Sequence, residues 1–239
     1  MKLAIIGYGK MGRTIEGFAR DAGHEIVLTI GAGNAGDLTE DRLKEADVAV
    51  EFTRPDVAVE HLLLCFRAGV PVVSGTTGWL DDLDTVLQER EKLSGGFFYA
   101  SNFSIGVNLT FAVNRVLARL MNDHDQYEVS MREIHHTQKL DAPSGTAITL
   151  AEGIMENLDR KRNWINEAQG KPTEVPIISE RIGDVPGTHE ITYRSAVDTI
   201  TLRHEAHSRE GFAKGALTAA EWMAGRSGYY GMADLLGLQ

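Results

Sequence analysis

The chain has 239 residues, of which 43% are hydrophobic and 24% charged, and its net charge is −10 at pH 7. This length allows one large domain or two smaller ones, and it is enough to bury a core without disulfides. The acidic balance argues against non-specific nucleic-acid binding, and no apolar run reaches the roughly 18 residues of a membrane span.

The first hundred residues alternate strand-like and helix-like segments. Short apolar runs predict strands, and longer segments with one apolar face predict helices, several ending at a glycine. The predicted strands are Lys2–Ile6, Glu25–Ile30, Asp47–Phe52, Val70–Gly75 and Gly96–Ala100, and the predicted helices are Met11–Gly23, Asp56–Gly69 and Leu80–Leu93. Such alternation with short connections is typical of an α/β fold with a doubly wound parallel sheet of the Rossmann type.

The pattern changes after about residue 102. The predicted elements are then helix Gly106–Asn122, strand Gln126–His136, helix Ser144–Leu158, strands Glu174–Gly183, His189–Ser195 and Asp198–His207, and helix Gly211–Gly225. Because no helix is predicted between the last three strands, we expect them to pair antiparallel. We therefore predict a dinucleotide-binding domain at 1–103 and an α+β substrate and oligomerisation domain with a mostly antiparallel sheet at 104–208. The segment 209–239 is expected to return to the first domain.

The glycine-rich turn "GYGKMG" (Gly7–Gly12) follows a predicted strand and opens a predicted helix. This context favours a dinucleotide site over an ordinary turn that happens to be rich in glycine. Gly7 would allow the tight turn, Gly9 the close approach of a pyrophosphate, and Gly12 the packing of helix on strand. The start of the helix would supply free amides for the phosphates.

The end of the second predicted strand, "TIGAGNAGD", leaves the choice of nicotinamide cofactor open. Gly31, Ala32 and Gly33 occupy the position where an acidic residue usually binds the ribose of NAD. Asp37 lies several residues further on, and Arg42 is the next arginine that could hold the phosphate of NADP. A site with neither device would discriminate weakly between NADH and NADPH.

Two further loops follow predicted strands on the carboxyl side of the sheet, where such sheets bind ligands. "GTTGW" (Gly75–Trp79) offers hydroxyls beside a small residue, and "ASNFSIG" (Ala100–Gly106) offers an amide, hydroxyls and an aromatic ring. Each alone is compatible with a simple loop. Together with the Gly7 turn they would line a nicotinamide pocket.

The segment "EIHHTQKLDAPSGTA" (Glu133–Ala147) gathers potential cations in an acidic chain. A metal site is one interpretation, although adjacent histidines on a strand point to opposite faces, which makes joint ligation awkward. A solvated turn is another. The third is a site for an anion and for proton transfer, with Lys139 and one histidine binding the anion while the other histidine moves a proton.

The residues after the lysine favour the third interpretation. "PSGTA" reads as a helix start that Ser144 or Thr146 can cap, and its amides would face a carboxylate. Asp141 is expected to hold the turn or to orient Lys139. A dinucleotide turn combined with an anion and proton site is the pattern of a reductase, which takes hydride from its cofactor and a proton from its own side chains.

Six segments of the chain resemble the 4-hydroxy-tetrahydrodipicolinate reductase family, also called dihydrodipicolinate reductase. They are "GYGKMGR", "VEFTRP" (Val50–Pro55), "GTTGW" with "SNFSIGVN" (Ser101–Asn108), "EIHHTQKLDAPSGTA", and "SREGFAKGAL" (Ser208–Leu217). The resemblance covers nearly the whole chain, and the histidine segment is its most specific part.

The resemblance implies a role for each matching residue. His135 is the expected catalytic acid or base and Lys139 the expected proton donor near the substrate nitrogen, while His136, Ser144, Gly145 and Thr146 bind the substrate carboxylates. The residues expected to contact NADH or NADPH are Gly7, Tyr8, Gly9, Lys10, Met11, Gly12, Gly75, Thr76, Thr77, Ala100, Ser101, Asn102, Phe103, Arg209 and Phe212. Hydride would reach C4 of a conjugated cyclic imine after the 4-hydroxyl leaves as water, and protonation at C3 would give tetrahydrodipicolinate.

The resemblance also implies a homotetramer built through the sheet of the substrate domain. The single cysteine, Cys65, cannot form an intrachain disulfide, and we expect a cytoplasmic enzyme without a metal and without nucleic-acid or membrane partners. An aspartate-dehydrogenase-like oxidoreductase acting on an amino or imino diacid is the main alternative, although "KLDAPSGTA" is not expected there. A nucleotide-sensing regulator would need a basic patch or a helix-turn-helix, and neither pattern is visible.

Overall fold

A computed structural model of the chain describes residues 1–238 and divides them into two compact units. The first unit comprises Met1–Ile105 together with the described residues from Glu210 onward, and the second comprises Gly106–Arg209. No helix within residues 1–238 is long and apolar enough to cross a membrane.

The helices and strands follow one another in a fixed order. In chain order they are β1 (Lys2–Ile6), α1 (Lys10–Asp21), β2 (Glu25–Ile30), α2 (Glu40–Leu43), β3 (Val48–Glu51), α3 (Pro55–Ala68), β4 (Val72–Ser74), α4 (Leu83–Lys92), β5 (Gly96–Tyr99), α5 (Ile105–Met121), β6 (Glu128–His135), α6 (Gly145–Met155), β7 (Asn163–Ile165), β8 (Glu174–Arg181), β9 (Gly187–Arg194), β10 (Thr199–Ala206), α7 (Glu210–Met223), β11 (Gly228–Tyr230) and α8 (Met232–Leu236).

The first unit is built on a six-stranded sheet in the order β11-β5-β4-β3-β1-β2, and every neighbouring pair is parallel. Both faces of this sheet are covered. Ile15 of α1 and Ala216 of α7 lie in the buried cluster on one side, and Leu62 of α3 lies in the cluster on the other. Double coverage explains why β1 and β3 are continuous apolar runs rather than alternating ones. The predicted doubly wound parallel sheet is confirmed.

The second unit carries a five-stranded sheet in the order β10-β9-β6-β8-β7. Burial alternates along β6 from Glu128 to His135, so one face of the sheet packs and the other remains open. The packed face shares a core with α5 and α6, including Ala118, Leu150 and Tyr193. A buried hydrogen bond from Asn114 Nδ2 to the Leu150 carbonyl oxygen, 2.8 Å long, ties α5 to α6.

Of the three strands predicted to pair antiparallel, β9 and β10 do so, but β8 does not. Strand β6, whose pairing was not predicted, is antiparallel to β9. Strand β8 runs parallel to both β6 and β7. The chain leaves the carboxyl end of β6, forms α6 and returns to the end of the sheet where β6 began, and a crossover of this kind produces parallel pairing. The short elements α2, β7, β11 and α8 were not predicted, because each is too brief for its periodicity to stand out.

Helix α7 approaches the loop after β5 closely enough to require glycine. A Cβ at Gly215 would lie 1.8 Å from the Phe103 carbonyl oxygen, whereas one at Gly211 would have its nearest neighbour, Ser104 Oγ, at 3.8 Å. We expect Gly215→Ala to lower the free energy of unfolding by about 1–3 kcal/mol through overpacking, as measured by urea denaturation. Gly211→Ala is the control and should keep or slightly raise stability. Equal stabilities of the two variants would contradict this packing.

Candidate active site

The three glycines of the first turn play distinct structural parts. Gly7 has φ +103°, and a Cβ there would lie 2.0 Å from the Phe52 carbonyl oxygen. A Cβ at Gly12 would lie 2.3 Å from the Gly7 carbonyl oxygen, so helix α1 packs on β1 only without a side chain. Gly9 begins α1 and has open space where its Cβ would be. The turn therefore leaves room for a ligand at Gly9, beside the free amides of α1.

The side chains next to this turn are partly paired with one another. The Tyr8 hydroxyl donates to the Glu16 carboxylate, and this hydrogen bond raises the pKa of Tyr8. The Arg13 guanidinium lies over the Tyr8 ring, 4.5 Å from its centroid. Lys10 is exposed and Met11 is partly buried against the core. Arg13 is a cation beside the predicted turn to which the sequence analysis gave no part.

In the turn after β2, the polar side chains hydrogen-bond to nearby backbone groups or pair with one another. Asn34 Oδ1 accepts from the Gly31 amide at 2.7 Å, and its Nδ2 donates to the Thr29 carbonyl oxygen at 2.9 Å. Asp37 and Arg42, the nearest acidic and arginine candidates, pair with each other at 3.4 Å. The end of β2 itself therefore has neither an acidic residue for the ribose of NAD nor an arginine for the phosphate of NADP.

A fully buried carboxylate, Glu51, organises the loops after β3 and β4. It accepts from Ser74 Oγ at 2.6 Å and from Thr76 Oγ1 at 2.8 Å, and Thr53 donates to it through its amide and its hydroxyl. Burial alone would raise the pKa of this carboxyl, but the donors around it outweigh burial and lower that pKa. The Thr76 hydroxyl is therefore bound inside the protein, whereas Thr77 is exposed.

The predicted cofactor residues after β5 are of two kinds. Ala100 and Phe103 are buried, and the Phe103 ring stacks on Phe98 with centroids 5.9 Å apart. Ser101 is exposed, and Asn102 Oδ1 accepts from the Ser104 amide at 2.9 Å. The side chain of Phe103 thus belongs to the core of the first unit, and a ligand would meet its backbone. Gly75 is also tightly packed, since a Cβ there would lie 2.1 Å from the Phe52 ring.

The packed face of the second sheet assembles a buried ionisable cluster. Glu133 and His135 are two residues apart on β6 and therefore share a face, and β9 sets His189 opposite Glu133. His135 Nδ1 lies 3.2 Å from Glu133 Oε2, and His189 Nε2 lies 3.8 Å from the same oxygen. All three side chains are buried. Burial, with a smaller effect of the His135 charge, lowers the pKa of His189 to about 3, so this imidazole is neutral at ordinary pH.

The second oxygen of Glu133 reaches two other parts of the unit. It accepts from the Ser144 amide at 3.0 Å and from Arg181 Nη2 at 3.1 Å. Burial would raise the pKa of Glu133, but its contacts with His135 and Ser144 outweigh burial and hold that pKa well below the usual range. Ser144 caps α6 by accepting from the Ala147 amide at 3.2 Å, and its hydroxyl also contacts His189 Nε2 at 3.2 Å. A cap at Ser144 agrees with the sequence prediction.

Lys139 lies in the loop between β6 and α6. Its Nζ pairs with Asp141 Oδ1 at 2.8 Å, and this hydrogen bond is the main cause of the lowered pKa of Asp141. Asp141 therefore orients Lys139, the second of the two roles considered for it. Arg181 donates to the backbone carbonyl oxygens of Lys139 at 3.3 Å and of Asp141 at 2.5 Å, which fixes the path of the loop.

The remaining predicted substrate residues are Gly145 and Thr146 at the start of α6 and His136 in the loop after β6. A Cβ at Gly145 would meet no atom within 4 Å, so the helix start is open there, and the neighbouring Thr146 is half-buried. Desolvation, followed by the charges of Arg209 and His135, lowers the pKa of His136. Arg209 thus belongs electrostatically to the second unit, while Phe212 lies half-buried on α7 of the first.

Glu133, His135 and His189 also offer ligand atoms that all lie within 4.8 Å of one another, a grouping that could hold a metal ion. From the sequence, only the adjacent pair His135 and His136 was a candidate for this role. The Arg181 guanidinium beside Glu133 opposes a further cation, and the nitrogen of His189 that faces Glu133 is in contact with Ser144 Oγ. The arrangement is better suited to handling a proton than to ligating a metal.

Three residues of this cluster were not singled out from the sequence. Glu133 could have been recognised, because residues two apart on a strand face the same side. His189 and Arg181 reach the cluster only through the pairing of β6 with β9 and β8, and the sequence carries no local signal of that register.

A parallel Rossmann-type sheet with a glycine turn and a second unit with a buried acid–base cluster define the class of dinucleotide-dependent oxidoreductases. Residues 1–103 match the family described as "Dihydrodipicolinate reductase, N-terminus", and residues 106–236 match "Dihydrodipicolinate reductase, C-terminus". The chain belongs to the dihydrodipicolinate reductase family, as the sequence resemblance predicted.

Curated relatives agree with the family match. A protein of Christiangramia forsetii named 4-hydroxy-tetrahydrodipicolinate reductase is 44% identical over 239 residues, which cover 99% of this chain and 98% of the relative. A protein of the same name from Neisseria meningitidis serogroup B is 33% identical over 267 residues, covering 100% of this chain and 98% of the relative.

Solved structures show the same fold. Dipicolinate-bound dihydrodipicolinate reductase from Paenisporosarcina sp. TG-14 superposes with a TM-score of 0.78 at 26% identity, covering 98% of each chain. A probable dehydrogenase from Thermotoga maritima gives a TM-score of 0.54 at 10% identity over 91% of this chain and 85% of its own, a likeness of fold alone.

The buried neutral state of His189 makes stability depend on pH. Because its pKa is about 3 in the folded chain and 6.5 ordinarily, the unfolded chain binds the proton first. Its contribution to stability is full above pH 6.5 and is lost as the pH falls toward 3, by up to about 1.4 kcal/mol per pH unit. We expect His189→Gln to flatten this dependence between about pH 6.5 and pH 5 in urea unfolding. His124→Gln, at an exposed position, should keep the wild-type dependence of stability on pH. The same dependence in His189→Gln and wild type would refute the buried neutral state of His189.

Proposed function

We propose that the chain reduces 4-hydroxy-tetrahydrodipicolinate to tetrahydrodipicolinate with NADH or NADPH, using His135 and Lys139 for proton transfer. This is the reduction step of diaminopimelate and lysine biosynthesis that the curated relatives are named for. The observation that carries the proposal is a group of residues in the second unit. Buried His135 ends β6, Lys139 lies in the loop that follows, and the open start of α6 comes next.

The first unit fits a nicotinamide dinucleotide. Space at Gly9 and the free amides of α1 suit a pyrophosphate, and the exposed loop residues Thr77 and Ser101 follow strands at the carboxyl edge of the same sheet. When bound, the cofactor supplies the hydride. We propose for it the fifteen contact residues named from the sequence, with Phe103 contributing backbone and Arg209 charge. Because the end of β2 holds neither selecting device, we expect weak discrimination between NADH and NADPH.

The substrate is held through its carboxylates in this proposal. The amides at Gly145 and Thr146 begin a helix of 11 residues capped by Ser144, and such a start favours an anion. His136 lies among the charges of Arg209 and Lys139. The solved neighbour is described as dipicolinate-bound, and dipicolinate is a planar dicarboxylate of the same kind.

Two side chains are proposed as proton donors, and they differ in burial and in ion-pair partner. His135 is buried, and its Nδ1 lies 3.2 Å from Oε2 of the Glu133 carboxylate. Lys139 is held by Asp141 and is released when an anion takes over that pairing. We assign His135 to protonation at carbon and Lys139 to the substrate nitrogen, and this division follows the family.

We further propose the domain limits 1–103, 104–208 and 209–239, a cytoplasmic location and a homotetramer. The open face of the second sheet supports self-association, since Ile178 on β8 is 39% exposed and Arg132 on β6 pairs with Glu180 across the same face. An open sheet face of mixed apolar and paired charged side chains is suited to a second copy.

A coupled assay with the product of the preceding synthase tests the reaction. Wild-type protein should oxidise NADH or NADPH only when that product is present, and His135→Gln with Lys139→Ala should lower kcat by about 100-fold or more. The matched control is His124→Gln with Lys171→Ala, which removes the same side-chain types at exposed sites of the second unit and should leave kcat unchanged. An unchanged kcat in the His135 and Lys139 variant would exclude the assigned chemistry, and turnover of aspartate instead would identify an amino-diacid dehydrogenase.

Fluorescence titration with each nucleotide tests the cofactor site. Gly9→Ala fills the space at the turn, so we expect the Kd for NADH and for NADPH to rise about tenfold or more while unfolding is unchanged. Gly17→Ala, on the exposed side of the same helix, should bind as wild type. For the wild type the two Kd values should differ by less than about tenfold, or about 1.4 kcal/mol. Unaltered binding by Gly9→Ala would place the dinucleotide elsewhere.

A further inference from the structure

We infer that Glu133 is the positioning residue of the proposed reaction, fixing the His135 tautomer with one carboxylate oxygen and the substrate-binding loop and helix start with the other. The inference rests on the proposed function, and it adds a residue to which that proposal gives no role of its own. Glu133 is 0% exposed and lies two residues before His135 on β6, so its side chain cannot face solvent.

The first oxygen acts on His135. Glu133 Oε2 and His135 Nδ1 are buried and lie 3.2 Å apart, and neither makes a hydrogen bond among residues 1–238. The Ser179 hydroxyl, opposite Glu133 on β8, is buried beside the same carboxylate. The contact between Glu133 and His135 is within ion-pair distance, although its angle in the structure is not that of a hydrogen bond. Two buried polar atoms so placed satisfy each other by a small ring rotation, and an acceptor-only carboxylate requires the proton on Nδ1. The exchangeable proton is then carried by Nε2.

The opposite side of the imidazole is kept clear. A Cβ at Gly187 would lie 3.0 Å from His135 Nε2, and this glycine has φ +157°. The backbone of β9 therefore runs close to the reactive nitrogen without a side chain to cover it. Orientation by Glu133 on one side and a glycine on the other presents Nε2 for proton transfer.

The second oxygen acts on the rest of the proposed site. Oε1 accepts from the Ser144 amide, which begins the cap of α6, and from Arg181. Arg181 in turn holds the carbonyl oxygens of Lys139 and Asp141. One carboxylate thus connects the proposed proton donor, the helix start and the lysine loop.

The charged groups around His135 allow this role. Glu133 on the same strand is the negative group in contact with it, and His189 on β9 is neutral because burial lowers its pKa. Arg181 on β8 and Lys139 in the loop after β6 add positive charge.

Glu133→Gln keeps the size of the side chain but changes the His135 tautomer that it favours. Its amide oxygen can keep the Ser144 and Arg181 contacts, while its NH₂ group meets Nδ1 and requires the opposite tautomer. We expect kcat to fall about 100-fold and KM for the dicarboxylate to change less than about threefold. Glu152→Gln, which removes the same charge at an exposed position of α6, should match the wild type.

Histidine NMR supplies a reading that does not depend on activity. At a pH where His135 is neutral, its ¹⁵N and ¹³C shifts should report the Nδ1–H tautomer in the wild type and the Nε2–H tautomer in Glu133→Gln, with the signal assigned by its loss in His135→Gln. An Nε2–H tautomer in the wild type would overturn the inference even if the variant failed to fold. So would a variant kcat within about threefold of wild type, or a rise in KM alone. Wild-type protein without turnover would instead refute the proposed function, while the tautomer still decides the role of Glu133.

Discussion

A carboxylate that is wholly removed from water must be surrounded by donors, and each unit of this protein places one such group at the end of a sheet strand. An unpaired ion there would cost several kcal/mol or would simply take up a proton. Glu51 meets the requirement with hydroxyls and an amide from the loops after β3 and β4. Glu133 meets it with the Ser144 amide and Arg181. In each case one donor, Thr76 or Ser144, is also a proposed ligand contact, so satisfying the buried charge also helps to set the geometry of the site.

Backbone proximity imposes the second constraint on the first unit. Gly7, Gly12 and Gly215 lie where a Cβ would be 1.8–2.3 Å from a carbonyl oxygen, so these positions accept no side chain as the backbone stands. Gly9 differs, because nothing occupies the space beside it. Glycines that permit packing and a glycine that leaves room for a ligand therefore alternate within six residues. The position of each glycine in the motif predicts its role, and the neighbouring backbone gives the physical reason.

The predictable features are those that local sequence determines. The parallel sheet follows from short apolar runs between helices, and the Ser144 cap follows from a hydroxyl before an apolar helix. The cluster around Glu133 is different, because His189 and Arg181 lie 56 and 48 residues away and arrive through strand register. The parallel direction of β8 was missed for the same reason. A one-residue shift in either pairing would move these side chains to the other face, and no local pattern reveals the register.

An overall charge of −10 disfavours a dicarboxylate at long range, but salt screens exposed charges beyond about 8–10 Å. Near the proposed anion site the second unit presents Lys139 and Arg209, and desolvation, followed by the Arg209 charge, lowers the pKa of His136. Glu133 offsets Arg181 below the surface without reaching solvent, whereas Asp141, which offsets Lys139, is exposed. An arriving carboxylate can therefore replace Asp141 but not Glu133. The buried carboxylate is held within the framework while Asp141 is exposed, and this difference in burial is what the proposed anion site requires in an acidic protein.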